Sequence, residues 1–148
     1  KILCAADSNN IEPALYSHIK RQVGDIDVLF LGMECAGAPL SWLYGPLLTS
    51  TITRKMDQSR RLNGSDYKAA MALIKQFNCS SVYIYAMGQE PWLGYVMSVA
   101  YAENSKPITE SDQVVAECQS QGKTAERLFA KKEIILKLTE TVASLLEQ

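Results

Sequence analysis

One histidine, His18, is all that the 148 residues contain. A zinc centre built within this chain alone is therefore not expected, because such centres draw on several His or Cys ligands. The four cysteines, Cys4, Cys35, Cys79 and Cys118, lie far apart with no CxxC pair. They read as reduced thiols used as small hydrophobes, and Cys4 and Cys79 sit in or beside apolar strand-like runs. Glycine-rich phosphate loops are missing, as is the GxSxG nucleophile turn. No basic tract occurs and the net charge is −1. That argues against a nucleic-acid platform, which needs clustered Lys and Arg to displace counterions. No apolar run is long enough to span a bilayer and no secretory leader is read, so a cytoplasmic place is expected and no membrane partner. The Asn-x-Ser triplets at Asn63 and Asn78 then carry little weight. What remains is ordinary for a globular protein: 47% hydrophobic and 21% charged residues, enough for one domain over residues 1–148 with a real core.

The chain alternates strand-like and helix-like segments. Residues 2–6 read as a buried strand that runs into Asp7-Ser8-Asn9-Asn10. Pro13 suits a first helical turn, and Leu15, Ile19 and Val23 share a face, so a helix is predicted over 12–23 with Gly24 as its stop. Residues 27–33 form a second strand, apolar on both faces. Residues 34–64 show no clear period, and so long an irregular stretch is usually functional or mobile. Ser65 and Asp66 start a helix over 66–77, and residues 81–87 are rich in β-formers. Residues 93–110 stay ambiguous. Ser111 is read as the cap of a helix over 112–121, with Gly122 as its stop. Residues 126–129 and 133–136 are short strand candidates. Leu138, Val142, Leu145 and Leu146 outline a terminal helix over 137–148.

Strands alternating with helices imply an α/β fold, a layered and largely parallel sheet with helices on both faces. Ligands on such sheets sit beyond the carboxyl ends of the strands. That rule selects Asp7 to Asn10, Glu34 to Gly37, and Gly88-Gln89-Glu90. Asp7, Glu34 and Glu90 each follow a strand, so they could hold a hard cation or serve as acid and base. Each has a plain alternative: Asp7 as a cap or turn residue, the glutamates as solvated loop charges. The run Asp57-Gln58-Ser59-Arg60-Arg61 is either a solvated charge cluster or an anion clamp built on Arg60 and Arg61. Tyr83 and Tyr85 share a strand face and read as packing. Trp92 beside Pro91 suits a pocket wall or a partner surface. His18 lies next to the apolar face of the first helix and reads as structural or solvated.

The order Ile2 to Asp7, then Asp27 to Met33, then Met56-Asp57, a helix and Val82 to Gly88 resembles the C-terminal half of the metallo-β-lactamase fold superfamily. The stretches Met33 to Trp42 and Tyr85 to Trp92 resemble, more particularly, stand-alone members found beside bacterial, notably cyanobacterial, nonribosomal peptide synthetase genes. The resemblance covers nearly the whole chain, to about Leu136. It implies an αββα sandwich of which this chain is one half, with Asp7 as a ligand bridging two metals, zinc or iron. The HxHxDH motif of the superfamily is missing and would lie before Lys1. Met87 stands where the superfamily usually places its last histidine, and a thioether is a poor ligand in a hydrolytic site. Gln89 or Glu90 would then take over, or one metal would be lost.

From this follow the expectations. The parent is a metal-dependent hydrolase-like enzyme, with this chain inactive alone and without metal by itself. Glu34, Gln89 and Glu90 would stand at the metal or pocket, and Asn9, Trp42, Arg60 and Trp92 at the pocket or substrate. A second reading is a related branch, the di-iron β-hydroxylases of carrier-protein-bound amino acids, and a third is a non-catalytic binding module. Expected partners are the N-terminal half of the parent and a small-molecule or carrier-protein-bound substrate. An unpaired first strand further implies a homo-oligomer or swapped assembly.

Overall fold

The computed structural model describes residues 1–6, 12–36, 41, 48–59, 64–89, 92, 95 and 102–136. Along them run β1 Ile2–Ala5, α1 Pro13–Val23, β2 Val28–Gly32, α2 Arg54–Ser59, α3 Tyr67–Phe77, β3 Ser81–Tyr85, α4 Lys106–Ser120 and β4 Thr124–Arg127. The strands form one sheet in the order β1-β2-β3-β4, and every neighbouring pair is parallel. All four strand exits therefore lie along one edge of the sheet.

Local chemistry accounts for most boundaries. Pro13 opens α1 behind Glu12, whose side chain accepts from the Ala14 amide at 3.1 Å. Gly24, at φ +74°, closes it by donating to Lys20 O, a left-handed stop that glycine adopts without a steric penalty. Asp66 caps α3 through the Ala69 amide at 2.8 Å. The α4 helix begins at Lys106, not at 112 as expected. Ser105 takes the cap position and Pro107 sits in the first turn, where a missing N–H costs nothing. Ser111 is thus no cap: it is buried inside the helix, donates to Ile108 O at 2.9 Å and accepts from Arg127 Nη1 at 2.8 Å. Arg127 also pairs with Asp112 at 2.9 Å, fastening β4 to α4. The fourth strand lies two residues earlier than expected, and residues 133–136 form none, with Ile135 81% exposed. The irregular stretch 34–64 contains the short helix α2. The terminal helix expected over 137–148 lies outside the described residues.

One face of the sheet carries the core. Leu3, Leu29, Val82 and Ala125 form one cross-strand row, and Ala5, Leu31 and Ile84 the next. These residues share a single apolar cluster with Tyr16 and Ile19 of α1, Ala70, Leu73, Ile74 and Phe77 of α3, and Ile108, Val114 and Cys118 of α4. The parallel sheet with its helices is the α/β architecture that the sequence implies. Each crossover steps to the next strand in the same direction, and crossovers of one hand then return along one side of the sheet. The opposite face bears Ile2, Cys4, Val28, Phe30, Tyr83 and Tyr85. There Phe30 stacks on Tyr83 at 5.3 Å and meets Tyr85 edge-on at 6.4 Å, so the two tyrosines pack as their shared face predicts. Among the described strands β1 has one neighbour, β2, and stands at an edge.

Cys35, Cys79 and Cys118 are buried and Cys4 is exposed, all four as free thiols. Burial pushes the Cys79 thiol up from 9.0 to about 11, against the opposing pull of Lys123. An acid whose folded pKa is raised lends stability below its unfolded pKa and loses it as pH rises toward the folded value. Stability should therefore fall between pH 9.0 and about 11 as the unfolded thiol ionises and the folded one does not. Urea midpoints at pH about 8 and about 10.5 measure this, and Cys79→Ala should reduce the difference between them.

Candidate functional site

The carboxyl edge of the sheet gathers the strand exits. At β1 the described chain ends on Ala6, so Asp7 and Asn9 lie outside the described residues. At β2 the exit is Met33-Glu34-Cys35, with Met33 and Cys35 buried and Glu34 half-buried between them. The alternation is the strand period continued: every second side chain turns from the core. Glu34 Oε1 accepts from the Ala36 amide at 3.2 Å, which closes a tight turn. Its backbone is held as well, because the Gly64 amide donates to Glu34 O at 2.6 Å and the Ser65 amide to Gly32 O at 2.9 Å. The chain returning from the 34–64 stretch is thereby stitched alongside the end of β2.

At β3 the exit turns through Ala86 at φ +55° and Gly88 at φ +68°. The left-handed region is uncommon for a residue with a Cβ, and such conformations cluster at functional turns. Met87 between them is 2% exposed and belongs to the apolar core. The residue at the usual last-histidine position is thus a packing residue and presents no donor at the edge. Gln89, two residues on, is half-buried, while Glu90 lies outside the described residues. Trp92 is described and 59% exposed. Trp42 and Arg60 lie outside the described residues, and so does the anion clamp read from Arg60 and Arg61. Asp57 from the same run is engaged elsewhere, since its carboxylate accepts from the Ser41 amide at 2.7 Å and from Ser41 Oγ at 3.0 Å. His18 is exposed on α1.

Sequence reading missed the first turns of α4. Lys106 and Glu110 both act electrostatically on the Cys35 thiol, Lys106 lowering its pKa and Glu110, with Glu34, raising it; burial, the largest cause, pushes it up. Glu110 Oε2 also accepts from the Tyr67 amide at 2.7 Å, so α4 caps the first turn of α3. These residues fell in the ambiguous stretch 93–110. The signal that would have found them is the Ser105-Lys106-Pro107 helix start.

Among the described residues no group of three or more His, Cys, Asp or Glu could hold a metal ion. In kind, Glu34 suits a hard cation, being an oxygen donor at a rigid strand exit. In number, one carboxylate falls short of a site. Two cavities, of about 420 Å³ lined by Met71, Ile74, Lys75, Asn78, Gln121 and Lys123, and about 590 Å³ lined by Lys1, Ile2, Gln22, Val23 and Ile26, both lie at the amino edge of the sheet. No described helix is long and apolar enough to cross a membrane.

No family model matches the chain. Over 135 residues, 91% of this chain, it is 45% identical to the 4-amino-L-phenylalanyl-[CmlP-peptidyl-carrier-protein] 3-hydroxylase of Streptomyces venezuelae. The crystal structure of CmlA, a diiron β-hydroxylase from Streptomyces venezuelae, matches 83% of this chain with a TM-score of 0.69 and 46% identity. A single-substitution mutant of the CmlA β-hydroxylase matches 86% with a TM-score of 0.66 and 45% identity. The chain spans about a quarter of the length of these proteins: 25% of the first, 24% and 23% of the structures. The chain is homologous to CmlA, and its α/β architecture with a parallel sheet is structurally similar to that enzyme of the metallo-β-lactamase fold. The similarity is to a hydroxylase, so the expectation of a hydrolase gives way to the second reading.

Proposed function

We propose that the chain is part of a di-iron β-hydroxylase that acts on an aminoacyl group held by a peptidyl carrier protein, in the assembly of a nonribosomal peptide. The observation that carries this is the 45% identity over 91% of the chain to a carrier-protein-dependent 3-hydroxylase. Chance similarity or shared fold alone does not sustain such identity together with a TM-score of 0.69. Bound iron would supply the redox chemistry that places an oxygen atom on a carbon of the tethered amino acid.

This chain's own residues would serve that centre at the carboxyl edge. Asp7 would be a carboxylate that holds the iron, and Glu34 a further oxygen donor or pocket wall. Gln89 and Glu90 would border the site from the β3 exit. Asn9, Trp42, Arg60 and Trp92 would line the path of the substrate. The remaining ligands would come from the N-terminal half of the parent. Its natural seat is the sheet face bearing Val28, Phe30, Tyr83 and Tyr85, since a sheet in a sandwich buries its second face against another sheet. Taken alone, the chain would then be inactive.

The test uses the full-length parent with an aminoacyl-loaded carrier protein. The reading predicts near-stoichiometric iron by plasma mass spectrometry and the gain of one oxygen atom on the carrier-bound amino acid by intact-protein mass. Zinc in place of iron, with release of the amino acid from the carrier, would return the hydrolase reading to first place.

A further inference from the structure

Charge is sorted by sign at the carboxyl edge. A helix that crosses back between parallel strands starts beyond their carboxyl ends, so the first turns of α3 and α4 stand at this edge. Both feet of the 34–64 stretch, which holds α2, stand there too. The half-buried carboxylates of these segments are turned onto backbone amides of the chain itself. Glu34 accepts from Ala36 at 3.2 Å, Asp57 from Ser41 at 2.7 Å, Asp66 from Ala69 at 2.8 Å and Glu110 from Tyr67 at 2.7 Å. The cations of the same segments, Arg54, Lys55, Lys68 and Lys106, are all exposed. None of them makes an ion pair among the described residues, whereas Lys20, Arg127 and Lys132 elsewhere each have an acid. Glu103, just before α4, is the acid exposed beside them.

The chain as a whole carries a net charge of −1, so this is local sorting and not general basicity. Acids engaged inward and cations left outward present donors to whatever approaches the edge. An apolar group stands with them: Met56 of α2 is 55% exposed, between Lys55 and the Asp57 that ties the helix to Ser41. Methionine is a flexible, polarisable side chain that recurs at protein-binding surfaces. Contact with a phosphate backbone would leave it unused, so cations with a methionine favour an acidic protein over a nucleic acid. A carrier protein must bring its tethered aminoacyl group to the carboxyl edge, and its own surface then comes to rest beside that edge.

We propose that Arg54, Lys55, Lys68 and Lys106, with Met56, form the docking surface for an acidic face of the carrier protein that presents the substrate. This rests on the reading of the chain as part of a carrier-dependent hydroxylase. The experiment follows steady-state hydroxylation of the aminoacyl-loaded carrier by the full-length parent at low and high salt. The proteins compared are wild type, the paired change Arg54→Glu with Lys55→Glu, Lys106→Glu, and Lys75→Glu. Both reversals at the carboxyl edge should raise KM by about tenfold or more, with a smaller change in kcat. Wild-type kcat/KM should fall as salt rises, and that of the reversed variants should not. Lys75 is exposed at the amino edge, and its reversal should leave KM as in wild type. An equal rise there would show an effect of net charge alone and overturn the proposal. Unchanged KM in the edge variants overturns it as well. If that comes with weakened binding of a duplex DNA probe, the surface belongs to a polyanion. Should the reversals not fold, Arg54→Gln with Lys55→Gln carries the test: KM should still rise, by less, and an unchanged KM overturns the proposal. A wild-type parent that leaves the carrier-bound amino acid unhydroxylated sinks the hydroxylase reading itself. A wild type that hydroxylates it, with every variant alike, sinks only the docking surface.

Discussion

Phe77→Ala should cost about 3–5 kcal/mol of folding stability, a large share of the roughly 5–15 kcal/mol that a domain of this size has. The ring is 0% exposed and heads the fully buried side chains. It belongs to the cluster that joins α1, α3 and α4 to the sheet, and Tyr16 of α1 meets it edge-on at 6.2 Å. Its backbone carbonyl also receives the Ile26 amide at 3.0 Å, at the start of β2. Removing the ring would leave a cavity where three elements meet and strip α1 of its aromatic contact. That matters because α1 contains no fully buried residue. Urea titration by far-ultraviolet circular dichroism measures the loss. A change below about 1 kcal/mol would show that the site collapses around the missing ring and that the cluster is not cooperative.

Asp7→Ala should remove iron from the full-length parent, with affinity falling by more than about 100-fold, since even partners outside the ligand shell cost about 10–100-fold. The expectation rests on its place in the chain. Asp7 follows Ala6 directly, and Ala6 lies against Gly32 at the same edge as Glu34. Stability in urea should change little, because the core row nearest it ends at Ala5. Plasma mass spectrometry beside the urea midpoint separates the two outcomes. Retained iron would make Asp7 a turn residue, as its Asp-Ser-Asn-Asn context also allows. A loss of fold together with iron would assign it to the strand exit and not to the metal.

Much of the fold was legible from the chain itself because its signals are local. The helix at α1 follows from Pro13, the spacing of Leu15, Ile19 and Val23, and Gly24; that at α3 follows from Asp66 and an apolar stripe. The three apolar runs ending at Ala5, Gly32 and Tyr85 are strands because a parallel sheet demands β-formers on both faces. The rule that ligands gather beyond strand exits then chose the Glu34 and Gln89 stretches without any knowledge of pairing. Misplaced elements were those whose signals compete. Ser111 reads as a cap in the sequence, yet Ile108, which precedes it, packs into the core, and the helix starts at Lys106 behind Ser105. Met87 looked like a vacated ligand position until the structure placed it among core side chains.

Amino-acid sequence by itself determined where β1, α1, β2, α3 and β3 lie and which residue types end those strands, since φ/ψ preference and hydrophobic period act between neighbours in the chain. Tertiary structure alone decided that the strands lie in the order β1-β2-β3-β4, that α1, α3 and α4 share one face, and that Phe30, Tyr83 and Tyr85 line the other. It alone brought Gly64 against Gly32 and Glu34, some thirty residues away in sequence. Those are contacts between segments distant in the chain, and their energy depends on which surfaces meet, a quantity that no local window of sequence contains.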